Sequence, residues 1–252
     1  MTSPGITLQR IGLSYGDKAL FSDLSAHFQG ARWHSILGRS GVGKSSLIQS
    51  IAGLLAKSAL TGQVVADDHL PLAGRIAWMG QRDCLLPWLT VLDNVLLGLH
   101  LRKQDTRSAG ERAQDLLQSV GLADLAKRMP AQLSGGQRQR VALARTLMED
   151  KPVVLMDEPF SALDAITKLQ LQDLAATLLH DRTVLLITHD PLEALRLSDE
   201  VWLMTGRSVR MNRMFSIEEM PPPRALDDAR ILSWQGELLA HLQRDLEVPE
   251  HD

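Results

Sequence analysis

Short apolar runs separated by turn signals open the chain. Ile6, Leu8 and Ile11 are apolar, Gly16-Asp17 marks a turn, and Trp33 to Leu37 runs apolar into a glycine, so residues 6 to 37 read as short strands. The period then changes: Leu47, Ile48, Ile51, Leu54 and Leu55 fall at the spacing of a one-sided helix. Val64 to Gln81 reads as further strand ending in Arg75-Ile76-Ala77-Trp78-Met79, whereas residues 91 to 149 carry mostly helical patterning with Gly98, Gly110 and Gly121 as breaks. Val153-Val154-Leu155-Met156 and Val184-Leu185-Leu186-Ile187 are continuously apolar strands on either side of a helix over Ala165 to Leu179. Such strands need a sheet covered on both faces, so the pattern predicts an α/β core with a mostly parallel sheet. Ser208 to Ser216 carries no signal, Pro221-Pro222-Pro223 reads as a stiff linker, and Leu226 to Leu246 as a C-terminal helix.

With 252 residues, 44% of them hydrophobic, the chain can bury a core and is neither disordered nor collagen-like. A net charge of −3 advertises no nucleic-acid surface, and no nucleic-acid partner is expected. A single Cys excludes an internal disulfide and a Cys-only metal cluster. Met1 to Arg10 lacks the basic start and apolar run of a secretory signal. Leu85 to Leu101, interrupted by Asp93 and Asn94, falls short of the roughly 18 to 20 apolar residues of a membrane span, so the expectation is a soluble cytoplasmic protein with at most a peripheral membrane role.

Three motifs carry chemistry. Gly38-Arg39-Ser40-Gly41-Val42-Gly43-Lys44-Ser45 has the spacing G-x-x-x-x-G-K-[ST] between a predicted strand and a predicted helix. Its glycines let backbone N–H groups turn around phosphate oxygens, the helix start adds partial positive charge, Lys44 adds a full one, and Ser45 is placed to ligate Mg²⁺. Four fixed positions match by chance in roughly one chain of this length in a hundred, so context decides, and the context fits. Asp157 and Glu158 end the apolar strand Val153-Val154-Leu155-Met156 ahead of Pro159; there Asp157 would hold Mg²⁺ and Glu158 would orient or deprotonate the attacking water. Leu133-Ser134-Gly135-Gly136-Gln137 precedes a helical run with Val141, Ala144 and Met148 on one face, and two glycines at a helix start point to another anion site.

That pentapeptide resembles the signature of the ATP-binding subunits of ATP-binding cassette (ABC) transporters. The resemblance covers nearly the whole chain and implies an α/β fold, a P-loop NTPase core with an N-terminal antiparallel β subdomain and an inserted helical signature subdomain at about residues 85–148. It implies a cassette over residues 1–220, followed at 221–252 by the proline linker and C-terminal helix, without a separate regulatory domain. By the same resemblance Tyr15 stacks on adenine, Gly38, Ser40, Gly41, Gly43, Lys44, Ser45 and Ser46 bind nucleotide, and Gln81 senses Mg²⁺ and the attacking water. His189 contacts the γ-phosphate, and Ser161-Ala162-Leu163-Asp164 crosses the interface of a head-to-tail homodimer. Ser134, Gly136 and Gln137 of one copy would there cap the ATP held by Lys44 of the other. Asp190 is read as the cap of a helix with Pro191 at its first position, which would fix the exit of His189.

The implied cofactors are ATP and Mg²⁺. The implied partners are a second ATPase subunit, transmembrane permease subunits and, indirectly, a periplasmic or lipid-anchored solute-binding protein, with the chain on the cytoplasmic face of the inner membrane. Gln81 to Val95, with Leu85-Leu86-Pro87-Trp88, reads either as core of the helical subdomain or as a surface receiving a helix of the permease. Its wording is similar to bacterial importers of nitrate, aliphatic sulfonates, taurine and thiamine pyrimidine precursors. The alternative is an ABC ATPase of DNA repair or the ribosome, against which stand the single cassette and the lack of sustained heptads.

Overall fold

The computed structural model describes residues 3–16, 18–105, 108–206 and 208–246. In chain order these form β1 (Ile6–Tyr15), β2 (Lys18–Phe28), β3 (Trp33–Gly38), α1 (Lys44–Ile51), β4 (Leu60–Ala66), β5 (Ile76–Met79), α2 (Val91–Val95), α3 (Leu97–Leu101), α4 (Gly110–Ser119) and α5 (Gly135–Met148). Then follow β6 (Val153–Asp157), α6 (Ala165–Leu178), β7 (Thr183–Ile187), α7 (Pro191–Leu197), β8 (Glu200–Thr205), β9 (Arg210–Ser216) and α8 (Ala229–Leu246). They fall into two compact units, one of Met1–Ile76, Pro152–Leu155 and Leu179–Asp252, the other of Ala77–Lys151 and Met156–Leu178.

The first unit contains an antiparallel sheet of order β2-β1-β4, the N-terminal antiparallel subdomain that the resemblance implies. Ile6, Leu8, Leu13, Phe21, Leu24 and Phe28 are its buried face. The larger sheet has the order β5-β6-β7-β3-β8-β9, with β3 parallel to β7 and β8, and β8 antiparallel to β9. Every residue of β3 and β7 is buried, as the apolar run of β7 requires, and in β3 the burial includes polar His34 and Ser35. Buried Glu200 on β8 ties the sheet laterally, accepting from Arg213 of β9 at 2.7 Å and bonding His34 of β3 at 3.2 Å. His34 Nε2 also bonds the Gln29 carbonyl at 2.9 Å, so this histidine is structural.

α8 packs within the first unit. Ile231 and Leu238 are fully buried with Leu37, Ala194, Leu195, Val201 and Leu203. In the second unit the helical pattern holds: Val91, Val95, Ala113, Leu117, Val141, Ala144 and Met148 are buried.

Several boundaries differ from the sequence expectation. The helix after the phosphate loop stops at Ile51 because Gly53 turns the chain at φ 70°, leaving Leu54 exposed. Val64 to Gln81 is two strands, not one, divided by a turn with His69 and Gly74 at positive φ. The break between α2 and α3 falls at Leu96, while Gly98 lies inside α3, where a Cβ would collide with the Glu149 carboxylate. Ser208 to Ser216 contains β9.

Candidate functional site

The phosphate loop leaves β3 at Gly38, where a Cβ would run into the Met204 carbonyl of β8. Gly43 is the N-cap of α1 at φ 103°, a left-handed conformation that only glycine takes without strain, and no side chain caps the helix. The first N–H groups of α1 therefore point into the loop without a carbonyl of their own helix. Lys44 is buried, and its Nζ donates to the carbonyls of Gly38 at 2.7 Å and Arg39 at 2.8 Å. Ser40 and Gly41 are exposed, and Ser45 and Ser46 half-buried on the first turn. Tyr15, at the end of β1, is 56% exposed. His189 is exposed between β7 and α7. The expected cap is there: Asp190 Oδ1 accepts from Leu192 N–H at 2.9 Å and Glu193 N–H at 3.3 Å, with Pro191 in the first turn. All of these residues belong to the first unit.

The second unit assembles the other set. β6 ends in buried Asp157, and half-buried Glu158 follows at φ 49°. A glutamate in the left-handed region is strained, and such strain collects at functional positions. Gln81 Nε2 donates to Glu158 Oε2 at 3.3 Å, so the amide reaches the carboxylate. Ser161 closes the turn by donating its hydroxyl to the Glu158 carbonyl at 3.0 Å, and buried Phe160 anchors it.

Ser134 is the N-cap of α5. Its Oγ accepts from Gln137 N–H at 3.2 Å while Gln137 Oε1 accepts from Ser134 N–H at 2.8 Å, a reciprocal capping box. Gln137 thus serves the cap. Gln139, buried one turn on, donates to the Pro159 carbonyl at 2.9 Å and fixes α5 to the loop after Glu158. A Cβ on Gly136 would lie 3.5 Å from Leu163, so the bare backbone of the helix start adjoins the Ser161-Ala162-Leu163-Asp164 loop. Asp164 is exposed; its Oδ1 accepts from Thr167 N–H at 3.0 Å, which holds the carboxyl below its ordinary pKa.

Two arginines of α5 escaped the sequence reading. Arg138 Nε donates to Asp83 Oδ2 at 3.0 Å, and Arg145 donates to the carbonyls of Asp83 at 2.6 Å and Cys84 at 2.9 Å. They brace the segment that carries Gln81, and only their four-residue-plus-three spacing on the signature helix could have hinted at it. Burial pulls the Arg145 guanidinium below its ordinary pKa. Further along, buried Asn94 accepts from Leu86 N–H at 2.8 Å and donates to the carbonyls of Leu86, Leu89 and Thr90. Leu85, Val91 and Val95 of this segment are core, while Trp88 stands 69% exposed.

The ABC transporter family model matches residues 21–161. An "Uncharacterized ABC transporter ATP-binding protein" of Haemophilus influenzae is 41% identical over 94% of this chain and 98% of its own length. The aliphatic sulfonates import ATP-binding protein SsuB 1 of Rhodococcus jostii is 44% identical over 93% of this chain and 92% of its own. The SsuB protein of Yersinia pestis is 38% identical over 97% and 87%. Of solved structures, the dimeric bacterial ABC transporter cassette MJ0796 superposes with a TM-score of 0.72 at 27% identity, covering 84% of this chain and 100% of that one. Its post-hydrolysis dimer bound to ADP and Pi gives 0.73 at 28% identity. The chain belongs to the ABC transporter family. It is an ATP-binding subunit and an ATPase whose hydrolysis is coupled to transport, and its relatives group it with importers. Among the described residues no helix is long and apolar enough to cross a membrane.

Proposed function

We propose that the chain powers a bacterial importer of a small solute of the nitrate, aliphatic sulfonate, taurine or thiamine-pyrimidine-precursor kind, with aliphatic sulfonates favoured by the named relatives. It works as a homodimer beneath permease subunits, on the cytoplasmic face of the membrane, and a solute-binding protein delivers cargo to the permease. Residues 1–220 are the cassette in this reading. The observation that carries it is the Gln81 to Glu158 hydrogen bond, because it joins a general base to the segment that displays Trp88.

The loop at 38–45 seats the phosphates, with Lys44 giving up its carbonyl partners for them, and Tyr15 covers adenine. The oxygens of Ser45, Asp157 and Gln81 are hard donors that suit Mg²⁺, and they would hold it; when bound, the ion neutralises charge on the phosphate oxygens. Glu158 accepts a proton from the attacking water while Gln81 orients its carboxylate, and His189 holds the γ-phosphate. Ser134 and Gly136 of the second copy complete the seat, so ATP closes the dimer and hydrolysis opens it, and Asp164 lies in the loop at that interface.

A tagged pull-down from detergent-solubilised cells, read by mass spectrometry, tests this. A polytopic permease among the co-purifying proteins is the expected result. Ribosomal or DNA-bound partners without a permease would move the chain to the non-transport ATPases, which the relatives do not favour.

A further inference from the structure

The C-terminal helix and the phosphate loop meet inside the first unit. α8 buries Ile231 and Leu238 beside Leu37, the residue before Gly38, and beside Ala194 and Leu195 of α7. The chain is tied down at both ends of this helix. Ahead of it, buried Arg224 donates Nη1 to the carbonyls of Leu195 and Ser198, both at 2.7 Å, and Nε to the Met220 carbonyl at 2.8 Å. Burial lowers the Arg224 pKa to about 10, so it remains a cation at neutral pH and grips the C-terminal end of α7.

In the last turn, Asp245 Oδ1 accepts from Gly206 N–H at 2.9 Å in the turn between β8 and β9. The Asp245 backbone carbonyl accepts from Arg39 Nη1 at 3.2 Å. The last carbonyls of a helix lack partners within it and carry partial negative charge, so a guanidinium matches them in both respects. Arg39 lies between Gly38 and Ser40, inside the loop, and the function derived above gives it no task. Its own carbonyl meets the Lys44 ammonium while its side chain reaches α8, so this residue is held from two sides. Two residues on, Gly41 sits at φ 80° with open space where a Cβ would be.

We propose that Arg39 is a positioning residue through which α8 holds the phosphate loop in its nucleotide-accepting form, so that the C-terminal helix sets the affinity for ATP. The proposal rests on the reading of residues 38–45 as the ATP seat. Anchoring one loop residue lowers the conformational entropy that nucleotide binding would otherwise have to remove.

The test measures equilibrium binding of a fluorescent ATP analogue, steady-state ATPase rates and thermal melting on the full chain. The variants are Arg39→Ala, Arg39→Lys, Asp245→Ala and the double variant Arg39→Ala with Asp245→Ala. Arg39→Ala is expected to weaken binding and raise the KM for ATP about two- to fivefold, the range of one exposed charged hydrogen bond, with a smaller change in kcat and an unchanged Tm. Arg39→Lys recovers part of the loss, since an ammonium still reaches the helix end. Asp245→Ala releases the Gly206 tie and weakens binding less, and the double variant is no weaker than Arg39→Ala alone. Unaltered affinity in Arg39→Ala overturns the proposal. So do losses that multiply in the double variant, because Arg39 would then act on the nucleotide itself. A wild-type chain that binds no ATP analogue would instead sink the reading of the loop.

Discussion

α1 and α5 both begin at glycines, yet their starts are built in opposite ways. α1 has Gly43 as a left-handed N-cap, no side-chain cap and a lysine at its first position. α5 has Ser134 and Gln137 closing a capping box, and Arg138, beside that start, is engaged by Asp83 and the Leu133 carbonyl. One start has a lysine whose ammonium is shared with the loop carbonyls; the other has its cap closed by its own side chains and its cation neutralised by Asp83. A neutral ring of N–H groups adds to the binding of an anion whose charge is already matched elsewhere, but holds a polyanion weakly alone. Under the proposed function the difference gives an order, in which nucleotide is captured at α1 and sealed at α5.

The sharpest way to break this order is Lys44→Ala, which should abolish ATP binding in an equilibrium titration. A dimer that still closed on ATP without Lys44 would make the two starts equivalent. Next, Glu158→Gln should bind ATP and hold the dimer in size-exclusion chromatography while turnover falls about 10²- to 10⁴-fold, the contribution of a general base. Near-normal hydrolysis would remove Glu158 from that role. Ser134→Ala should cost about 0.5 to 2 kcal/mol of stability in chemical denaturation and weaken ATP-driven dimerisation, while the monomer binds ATP as before. Loss of monomer binding would show that sealing and capture are not separable.

The smallest effect contrasts caps by pH. The Thr167 N–H lowers the Asp164 pKa in the folded chain, so this carboxylate stabilises above its unfolded pKa and the contribution disappears as pH falls through the folded value. The Tm gap between wild type and Asp164→Ala should close in acid. The corresponding gap for Ser134→Ala, whose cap does not titrate, should stay.

The phosphate loop and β6 were legible because their chemistry is local: a period change beside glycines, and an apolar run ending in two acids. The cap at Asp190 was legible for the same reason. Tertiary properties were not. β9 hides its strand character behind Arg210 and Arg213 because it lies at the edge of its sheet, and the Arg213 partner, Glu200, is thirteen residues upstream. α8 starts at Ala229 instead of Leu226 because Asp228 accepts from Arg230 N–H at 2.8 Å and begins the helix there. The bracing by Arg138 and Arg145 depends on Asp83 and Cys84, which are distant in sequence, so the spacing of the two arginines on their helix does not name their partners.

Asn94 leads to a consequence for recognition. With one side-chain oxygen and one side-chain nitrogen it occupies four backbone groups between Leu86 and Thr90, so the peptide beneath Trp88 is cast in a single shape rather than tethered. A surface that comes to cover that indole meets a finished relief, and little freedom is lost there on contact. The tightness of such an encounter is set by fit and by the apolar area of one ring, and a two-atom amide with no exposure of its own keeps the mould.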